Sequence, residues 1–285
     1  MELTREDVIK LIITPQISSE RYSINLINLD LSGIDLSDLD LKGVNFKGAN
    51  LSGANLSNIN LNGCNLKNVN FENANLFGAK LKKAKLNGAN LNSSILKRAD
   101  FKNSSLKNTS FINAEILDTN FEKAILVGAD IKSALKYVDD PNIYRTNLFT
   151  DEDHYEFDNG TYVNFKGANL EGIDLSDTTL YGVFLQNANL KKTILINTDL
   201  SDAKLEGANL ARARIKNSNF TNSNLINVNL ERVRIINSNF SNANLTNVNM
   251  RYSRVNKTNF NKTKLSFANL NNTQIDDAVF EGASI

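Results

Sequence analysis

Basic residues recur at intervals of 20 in the second half of the chain. Arg214, Arg234 and Arg254 form one series, and a second series lies two residues before it. With a tyrosine that continues the second series and two flanking cations, the set comprises Lys191, Lys192, Arg212, Arg214, Arg232, Arg234, Arg251, Tyr252 and Arg254. If one structural turn has the same period, these side chains collect along one edge, with Glu231 as the only acid among them. Guanidinium and ammonium groups bind carboxylates and phosphates. We therefore interpret this edge as a candidate partner-binding site, the alternative being a solvated basic stripe.

The segment FTDEDHYEFDNG, residues 149–160, is acidic and aromatic and contains the only histidine. Its candidate contact residues are Asp151, Asp153, His154, Tyr155 and Phe157. A calcium loop needs glycine at its sixth position, whereas Gly160 is the tenth residue counted from Asp151. We therefore predict no metal site, and we interpret the segment as a solvated loop or as a loop that contacts a partner.

The sequence offers no group of residues that would perform catalysis. It has a single histidine and a single cysteine, and no serine, cysteine or lysine has a recognisable base at motif spacing. The glycines do not form a phosphate-binding loop. Cys64 occupies a position where small residues recur, which favours a buried structural role. We predict a protein without enzymatic activity and without a cofactor.

The composition narrows the function classes further. A formal net charge of +1 is too balanced for a dedicated nucleic-acid binder, so nucleic acid is a disfavoured partner. The start, MELTREDVIKLI, contains acids and no long apolar run, and no later stretch is long enough to span a membrane. We expect a cytoplasmic protein that does not insert into membranes.

The elements that would position the basic residues follow from a period of five. From Leu26 to Ile131 every fifth residue is Leu, Phe or Ile, and from Phe165 to Ile285 every fifth residue is Leu, Phe, Ile, Met or Val. Neither a helix nor a strand has this period. If the large residue is called i, small residues recur at i−2, and all glycines except Gly160 lie at i+2, where a turn requires positive φ.

Like residues also repeat in every fourth five-residue unit. The rows are Phe220, Phe240, Phe260 and Phe280; Ile215, Ile235, Val255 and Ile275; and Asn169, Asn189, Asn209, Asn229, Asn249 and Asn269. Rows of this kind are typical of stacked coils with parallel pairing about 4.8 Å apart. The pattern predicts an all-β fold, a right-handed quadrilateral parallel β-helix with about 20 residues per coil.

The repeated units resemble a known family. Ala49-Asn50-Leu51-Ser52-Gly53 and Ala168-Asn169-Leu170-Glu171-Gly172 are similar to the A(D/N)LXX motif of pentapeptide repeat proteins. The resemblance covers about residues 24–148 and 163–285, and it implies the right-handed quadrilateral β-helix of that family. Some members mimic DNA through negative surface charge, modulate type II topoisomerases such as gyrase, and dimerise through a C-terminal extension. This sequence departs from that pattern because basic residues outnumber acidic ones in both repeat segments.

We predict four segments along the chain. Residues 1–20 form an N-terminal cap with a short helix from about Arg5 to Ile13, begun by Thr4 and a capping box with Asp7. Residues 21–148 form a repeat β-helix with a bulge near 132–136, residues 149–162 a protruding loop, and residues 163–285 a continuation of the same solenoid. Two solenoids joined by a linker is the alternative. We also expect that the last coil, which ends on Ile285, could pair with a second copy in a homodimer.

Two functions remain open at this point. The first is a non-catalytic scaffold, a rigid rod that binds a protein partner of unknown identity through its surface or loop. The second is a DNA mimic that modulates a type II topoisomerase, as in gyrase protection. Weak binding of anions or nucleic acid through the basic edge is a further alternative.

Overall fold

The computed structural model describes residues 4–13, 25–136 and 163–284. It divides into two compact units. The first comprises Met1–Ala134 with Phe165–Ile173, and the second comprises Leu135–Asn164 with Asp174–Ile285.

The first unit begins with helix α1, Arg5–Ile13. The predicted capping box is present, because the Thr4 amide donates to Asp7 Oδ2 at 3.0 Å and the Asp7 amide donates to Thr4 Oγ1 at 3.2 Å. Arg5 docks the helix on the first coils by donating to the Asp35 carbonyl at 3.0 Å and to the Ser37 carbonyl at 2.9 Å. Val8 is fully buried. The helix therefore packs on the first coils, and its role as a cap of the solenoid stays a prediction.

The repeats of the first unit form a parallel β-solenoid. Single-residue bridges pair each repeat with the fourth repeat after it, as in Asn50 with Asn70. The large residue of each unit points inward and is buried, while the residue two positions on takes a positive φ, 64° at Gly53. Each corner is closed by a backbone hydrogen bond from residue i+3 to residue i, as from Ala54 to Leu51 at 3.2 Å. The predicted coil of four five-residue repeats is confirmed.

Asparagine is frequent because its side chain satisfies polar groups on the outer faces. The Oδ1 atom of Asn50 accepts a hydrogen bond from the Ser52 amide at 3.2 Å and another from Asn70 Nδ2 at 3.1 Å. Asn90 Nδ2 then donates to Asn70 Oδ1 at 3.0 Å. Such rows of asparagine side chains connect one coil to the next. Their oxygen atoms also accept hydrogen bonds from backbone amides in the turns.

The regular pattern of the first unit is interrupted after Ile131. The bulge predicted near 132–136 is instead a short helix, α2, Lys132–Lys136. The solenoid resumes in register, because Asn169 bridges Ile125 and the Phe165 ring stacks on Phe121 with centroids 5.3 Å apart. Residues 137–162, with the end of the first predicted repeat segment and the predicted loop, lie outside the described residues.

The second unit is also a parallel β-solenoid, and one of its faces carries three-residue strands. These are β1 (Ile194–Ile196), β2 (Arg214–Lys216), β3 (Arg234–Ile236), β4 (Arg254–Asn256) and β5 (Gln274–Asp276). They form a parallel sheet in the order β1-β2-β3-β4-β5, with partners one coil apart, such as Ile215 and Ile235.

The interior of the second unit contains the predicted phenylalanine column. Phe220, Phe240 and Phe260 are buried, with successive ring centroids 4.5 and 5.2 Å apart, and Phe280 follows at 5.1 Å from Phe260. Offset stacking of this kind adds to the burial of the rings. In the last described coil Phe267 is 85% exposed and Val279 51% exposed. Pairing of that coil with a second copy remains a prediction.

None of the helices among the described residues is long and apolar enough to cross a membrane.

Candidate functional site: a basic corner

The nine residues from Lys191 to Arg254 named above form one corner of the second unit, here called the basic corner. Within it, Arg214, Arg234 and Arg254 begin strands β2, β3 and β4 and are direct partners in the parallel register. We call these three the arginine row. The middle residue of each strand points into the core, so its neighbours on either side point outward. All three arginines are exposed, and adjacent strands place their backbones about 4.8 Å apart.

The arginine row has no carboxylate partner within the part of the chain that the structure describes. The ion pairs recorded there include Arg232 with Glu231, at 3.7 Å between Nε and Oε1, but none to Arg214, Arg234 or Arg254. Three arginines thus begin adjacent strands in register, with no ion pair to an acid of the described residues.

Tyr252 organises the neighbouring cations. The Arg232 guanidinium lies 5.6 Å from the centroid of its ring and the Arg251 guanidinium 5.2 Å. Arg251 Nη2 also donates to the Tyr252 hydroxyl at 3.3 Å. The tyrosine remains 44% exposed. Cation–π contacts of this kind hold two long side chains near one aromatic ring. The sequence pattern did not predict these contacts.

The remaining residues of the basic corner lie at the positions that the sequence pattern predicted. Lys191, Lys192 and Arg212 are exposed, and the last two occupy turn positions with φ of 59° and 62°. The residues of the corner therefore lie together, as their repeated spacing predicted.

Sequence reasoning missed two features next to the arginine row. Ile194, Ile196 and Ile236 lie on the outer face of the same sheet and are only partly buried. Isoleucine at these outward positions, where most units have polar residues, is the signal that could have found them.

The second missed feature is the corner that follows the sheet, which is held by hydroxyl groups. The amide of Thr198 donates to Ser218 Oγ at 3.4 Å, and the amide of Ser218 donates to Ser238 Oγ at 3.2 Å. Ser218 Oγ in turn donates to the Leu195 carbonyl at 2.9 Å. A shallow polar groove of about 420 Å³ lies along this corner, lined by Asn217, Ser218, Asn219, Asn237, Ser238, Asn239, Lys257 and Asn259.

The other candidate residues have different outcomes. The loop residues Asp151 to Phe157 fall outside the described residues, so their contact role stays a prediction. Across residues 4–13, 25–136 and 163–284, no group of three or more His, Cys, Asp or Glu could hold a metal ion.

Cys64 is buried, its thiol donates to the Leu41 carbonyl at 3.1 Å, and burial raises the pKa of this thiol to about 12. The thiolate that a nucleophile requires is therefore disfavoured.

The ladders, the four corners per coil and the buried column define a parallel β-solenoid built from five-residue repeats. The family model for pentapeptide repeats matches the chain in successive segments between residues 23 and 132 and between residues 161 and 282. The chain therefore belongs to the pentapeptide repeat family.

Comparison with solved structures returned distant likenesses. HetL, a pentapeptide repeat protein involved in heterocyst differentiation regulation from Nostoc sp. strain PCC 7120, is 22% identical, with 99% of this chain and 96% of that chain covered and a TM-score of 0.28. Rfr23 from Cyanothece 51142 is 20% identical over 42% of this chain and 90% of its own, with a TM-score of 0.28. QnrB1, a plasmid-mediated fluoroquinolone resistance protein, is 16% identical over 75% and 90%, with a TM-score of 0.29. These identities and TM-scores carry no argument about function. No curated protein matches the chain.

Proposed function

We propose that this protein is a non-catalytic scaffold that binds an acidic protein partner through the basic corner. The observation that supports this function best is the arginine row: Arg214, Arg234 and Arg254 are exposed, in register on adjacent strands, and without an ion pair among the described residues.

The charge arrangement favours binding over a purely structural role. Two unit charges about 5 Å apart in water repel by roughly 0.8 kcal/mol before salt screening, so the row is mildly unfavourable in the free protein. An incoming carboxylate relieves this repulsion. Arginine also binds carboxylates with two parallel hydrogen bonds, and the regular solenoid fixes the backbone spacing of the three residues, so that only their side chains must be ordered on binding.

A protein surface suits the corner better than a bare polyanion. Arginine and tyrosine are enriched where proteins meet, and Tyr252 is exposed with two arginine guanidinium groups near its ring. Ile196 and Ile236 add apolar area on the adjoining face. Phosphate backbones make little use of such apolar contacts, whereas protein partners do.

The observed charges give less support to DNA mimicry, which the family resemblance suggests and which depends on a negative surface. The acids of the first coils are engaged locally, since Arg5 pairs with Asp35 at 3.3 Å and Asn50 Nδ2 donates to Asp30 at 2.9 Å. We expect that the purified protein leaves the supercoiling rate of gyrase unchanged. Protection or inhibition at micromolar concentration would favour the alternative.

Affinity capture from a native lysate tests the scaffold proposal. The bait is the full chain in three forms: wild type, the triple variant Arg214→Glu, Arg234→Glu and Arg254→Glu, and a control with the same change of charge, Lys47→Glu, Lys67→Glu and Lys107→Glu. These lysines are exposed and also occupy one position of successive or alternate coils, but they belong to the first unit. We expect an acidic protein that is retained by the wild type and the control and lost from the arginine variant. Identical capture by all three baits would contradict the proposal.

A further inference from the structure

The outer face of the sheet β1–β5 has two parallel rows of side chains. The first residues of the strands form one row, which includes Ile194 and the arginine row. The last residues form the other, with Ile196, Lys216, Ile236, Asn256 and Asp276. The two rows are separated by two residues, roughly 7 Å along each strand. One row is thus mainly cationic, and the other contains the partly exposed aliphatic side chains of Ile196 and Ile236.

The spacing within the arginine row matches one element of secondary structure. The register places Arg214, Arg234 and Arg254 on successive strands, about 4.8 Å apart and so about 9.6 Å from first to third. An α-helix that lies across the strands presents one side chain per turn of about 5.4 Å, or about 10.8 Å over two turns. The mismatch of about 1.2 Å lies within the reach of an arginine side chain.

An extended peptide fits the row less well. Its side chains on one face are about 6.6 Å apart, so three of them span about 13 Å and miss the row by more than about 3 Å. A helix also has the width to cover both rows, because its diameter with side chains is about 10–12 Å.

The aliphatic groups indicate the second property of the ligand. Ile196 and Ile236 lie in the row beside the arginines and are partly exposed. A helix that is acidic on one stripe and apolar on the next would place carboxylates over the arginine row and apolar side chains over these isoleucines.

We propose that the outer face of β1–β5 docks an acidic amphipathic helix of the partner protein. The helix lies across the strands with one Asp or Glu per turn opposite the arginine row, and with its apolar stripe against Ile196 and Ile236. This inference rests on the proposed scaffold function and specifies the structure of the partner segment.

The test uses two fluorescein-labelled peptides of about 18 residues with identical composition. In the first, Glu residues follow the helical spacing i, i+4, i+7, i+11 beside a Leu stripe, on an alanine-rich helical background. In the second, Glu and Leu alternate so that the peptide presents them on opposite faces of an extended chain. Fluorescence anisotropy measures binding of each peptide to the full wild-type chain. We expect the helical peptide to bind at least about tenfold more tightly, and the change to Glu at Arg214, Arg234 and Arg254 to weaken it by at least about tenfold.

Matched variants separate the two rows. The Lys47, Lys67 and Lys107 control should bind the helical peptide as the wild type does. The double variant Ile196→Asn and Ile236→Asn places at both positions the residue that occurs naturally at 256, and it should weaken binding about fivefold with an unchanged salt dependence, because it removes apolar contact and no charge.

Several outcomes would overturn the inference. The helix proposal would be contradicted by equal binding of both peptides, by no binding of either, or by no effect of the isoleucine changes. The capture experiment would then still test the scaffold proposal separately. A 20-base-pair DNA duplex that binds more tightly than the peptide, with a steep salt dependence and indifference to Ile196 and Ile236, would assign the face to nucleic acid and overturn both proposals.

Discussion

The two units have the same kind of interior and differ at their surfaces. In the first unit Lys82 pairs with Asp100 at 3.2 Å and Lys102 pairs with Glu122 at 2.7 Å, each acid lying one coil after its lysine. In the second unit the arginine row has arginine over arginine at the equivalent spacing. In a solenoid with four repeats per coil, the sign of the charge on the next coil decides between an internal ion pair and an exposed charge. These two pairs neutralise individual lysines of the first unit, whereas the arginine row of the second unit has no ion pair among the described residues.

The corners differ as well. In the first unit the i+3 amide closes each corner on the i carbonyl, as in Ala54 to Leu51. In the second unit, at the corners after β1 and β2, Thr198 and Ser218 direct their amides to serine hydroxyls of the next coil instead. A repeat of five residues therefore permits more than one hydrogen-bond acceptor for the backbone amide at a corner.

The largest loss of stability should come from changes in the buried phenylalanine columns, one of which lies in each unit. Phe121 stacks on Phe101 and Phe165, and Phe240 stacks on Phe220 and Phe260, all of them buried. Phe121→Ala and Phe240→Ala should each destabilise their own unit by about 3–5 kcal/mol, because each leaves a cavity and interrupts a column. Hydrogen exchange resolved by segment measures the loss in each unit, since coils of a solenoid respond locally. A clearly unequal pair of losses would show that the interiors differ.

The next effect distinguishes the two kinds of corner. Ser218→Ala removes an acceptor of the Thr198 amide and a donor to the Leu195 carbonyl, and should cost about 1–3 kcal/mol because a buried amide loses its partner. Ser223→Ala is the matched control. The Phe220 carbonyl that its hydroxyl contacts keeps the Ser223 amide as a donor, so the cost should stay near about 1 kcal/mol or below. Shifts of the denaturation midpoint compare the two, and equal shifts would contradict the distinction.

Charge reversal should have opposite signs in the two units. Arg234→Glu creates an alternating row with Arg214 and Arg254 and should stabilise the free protein by about 0.5–1 kcal/mol at low salt. Lys102→Glu places an acid beside Glu122 and should destabilise by a similar amount. The measurement is the thermal midpoint of each variant at low and at high salt. Shifts of the same sign, or shifts that persist in about 1 M salt, would refute this electrostatic comparison.

The smallest effect is a dependence on pH. Partial burial tends to raise the pKa of Glu122, but the hydrogen bond from Lys102 and the charges of Lys102, Lys123 and Lys166 outweigh it, and the net pKa lies below the ordinary value of 4.5. A depressed carboxyl pKa contributes stability above the unfolded-state value, and this contribution is lost as pH falls through the folded value. Glu122→Gln should therefore lower the midpoint slightly at pH 7 and by less at acidic pH, because the contribution of the carboxylate is lost as the pH falls through its folded pKa. The Lys102–Glu122 pair is partly accessible to solvent, and the resulting screening keeps the effect small. An equal loss at both pH values would assign it to packing.

Several particulars were predictable from the residues alone. The Phe220 column, the register of the arginine row and the capped helix from Arg5 to Ile13 all follow from spacing and residue type. The column of Phe101, Phe121 and Phe165 was not foreseen, because the step from Phe121 to Phe165 departs from the period of 20. Helix α2 in place of a bulge depends on local geometry that a five-residue count does not contain.

The sequence by itself determined which side chains point inward and which residues share a row, because a strict period in a stacked chain sets both directly. Only the tertiary structure decided how neighbouring rows interact: Arg232 and Arg251 contact the ring of Tyr252, hydroxyl groups close the corner at Ser218, and Ile196 and Ile236 remain partly exposed beside the arginines. These contacts join residues of adjacent coils or corners, and they depend on side-chain directions and turn geometry that residue spacing leaves free.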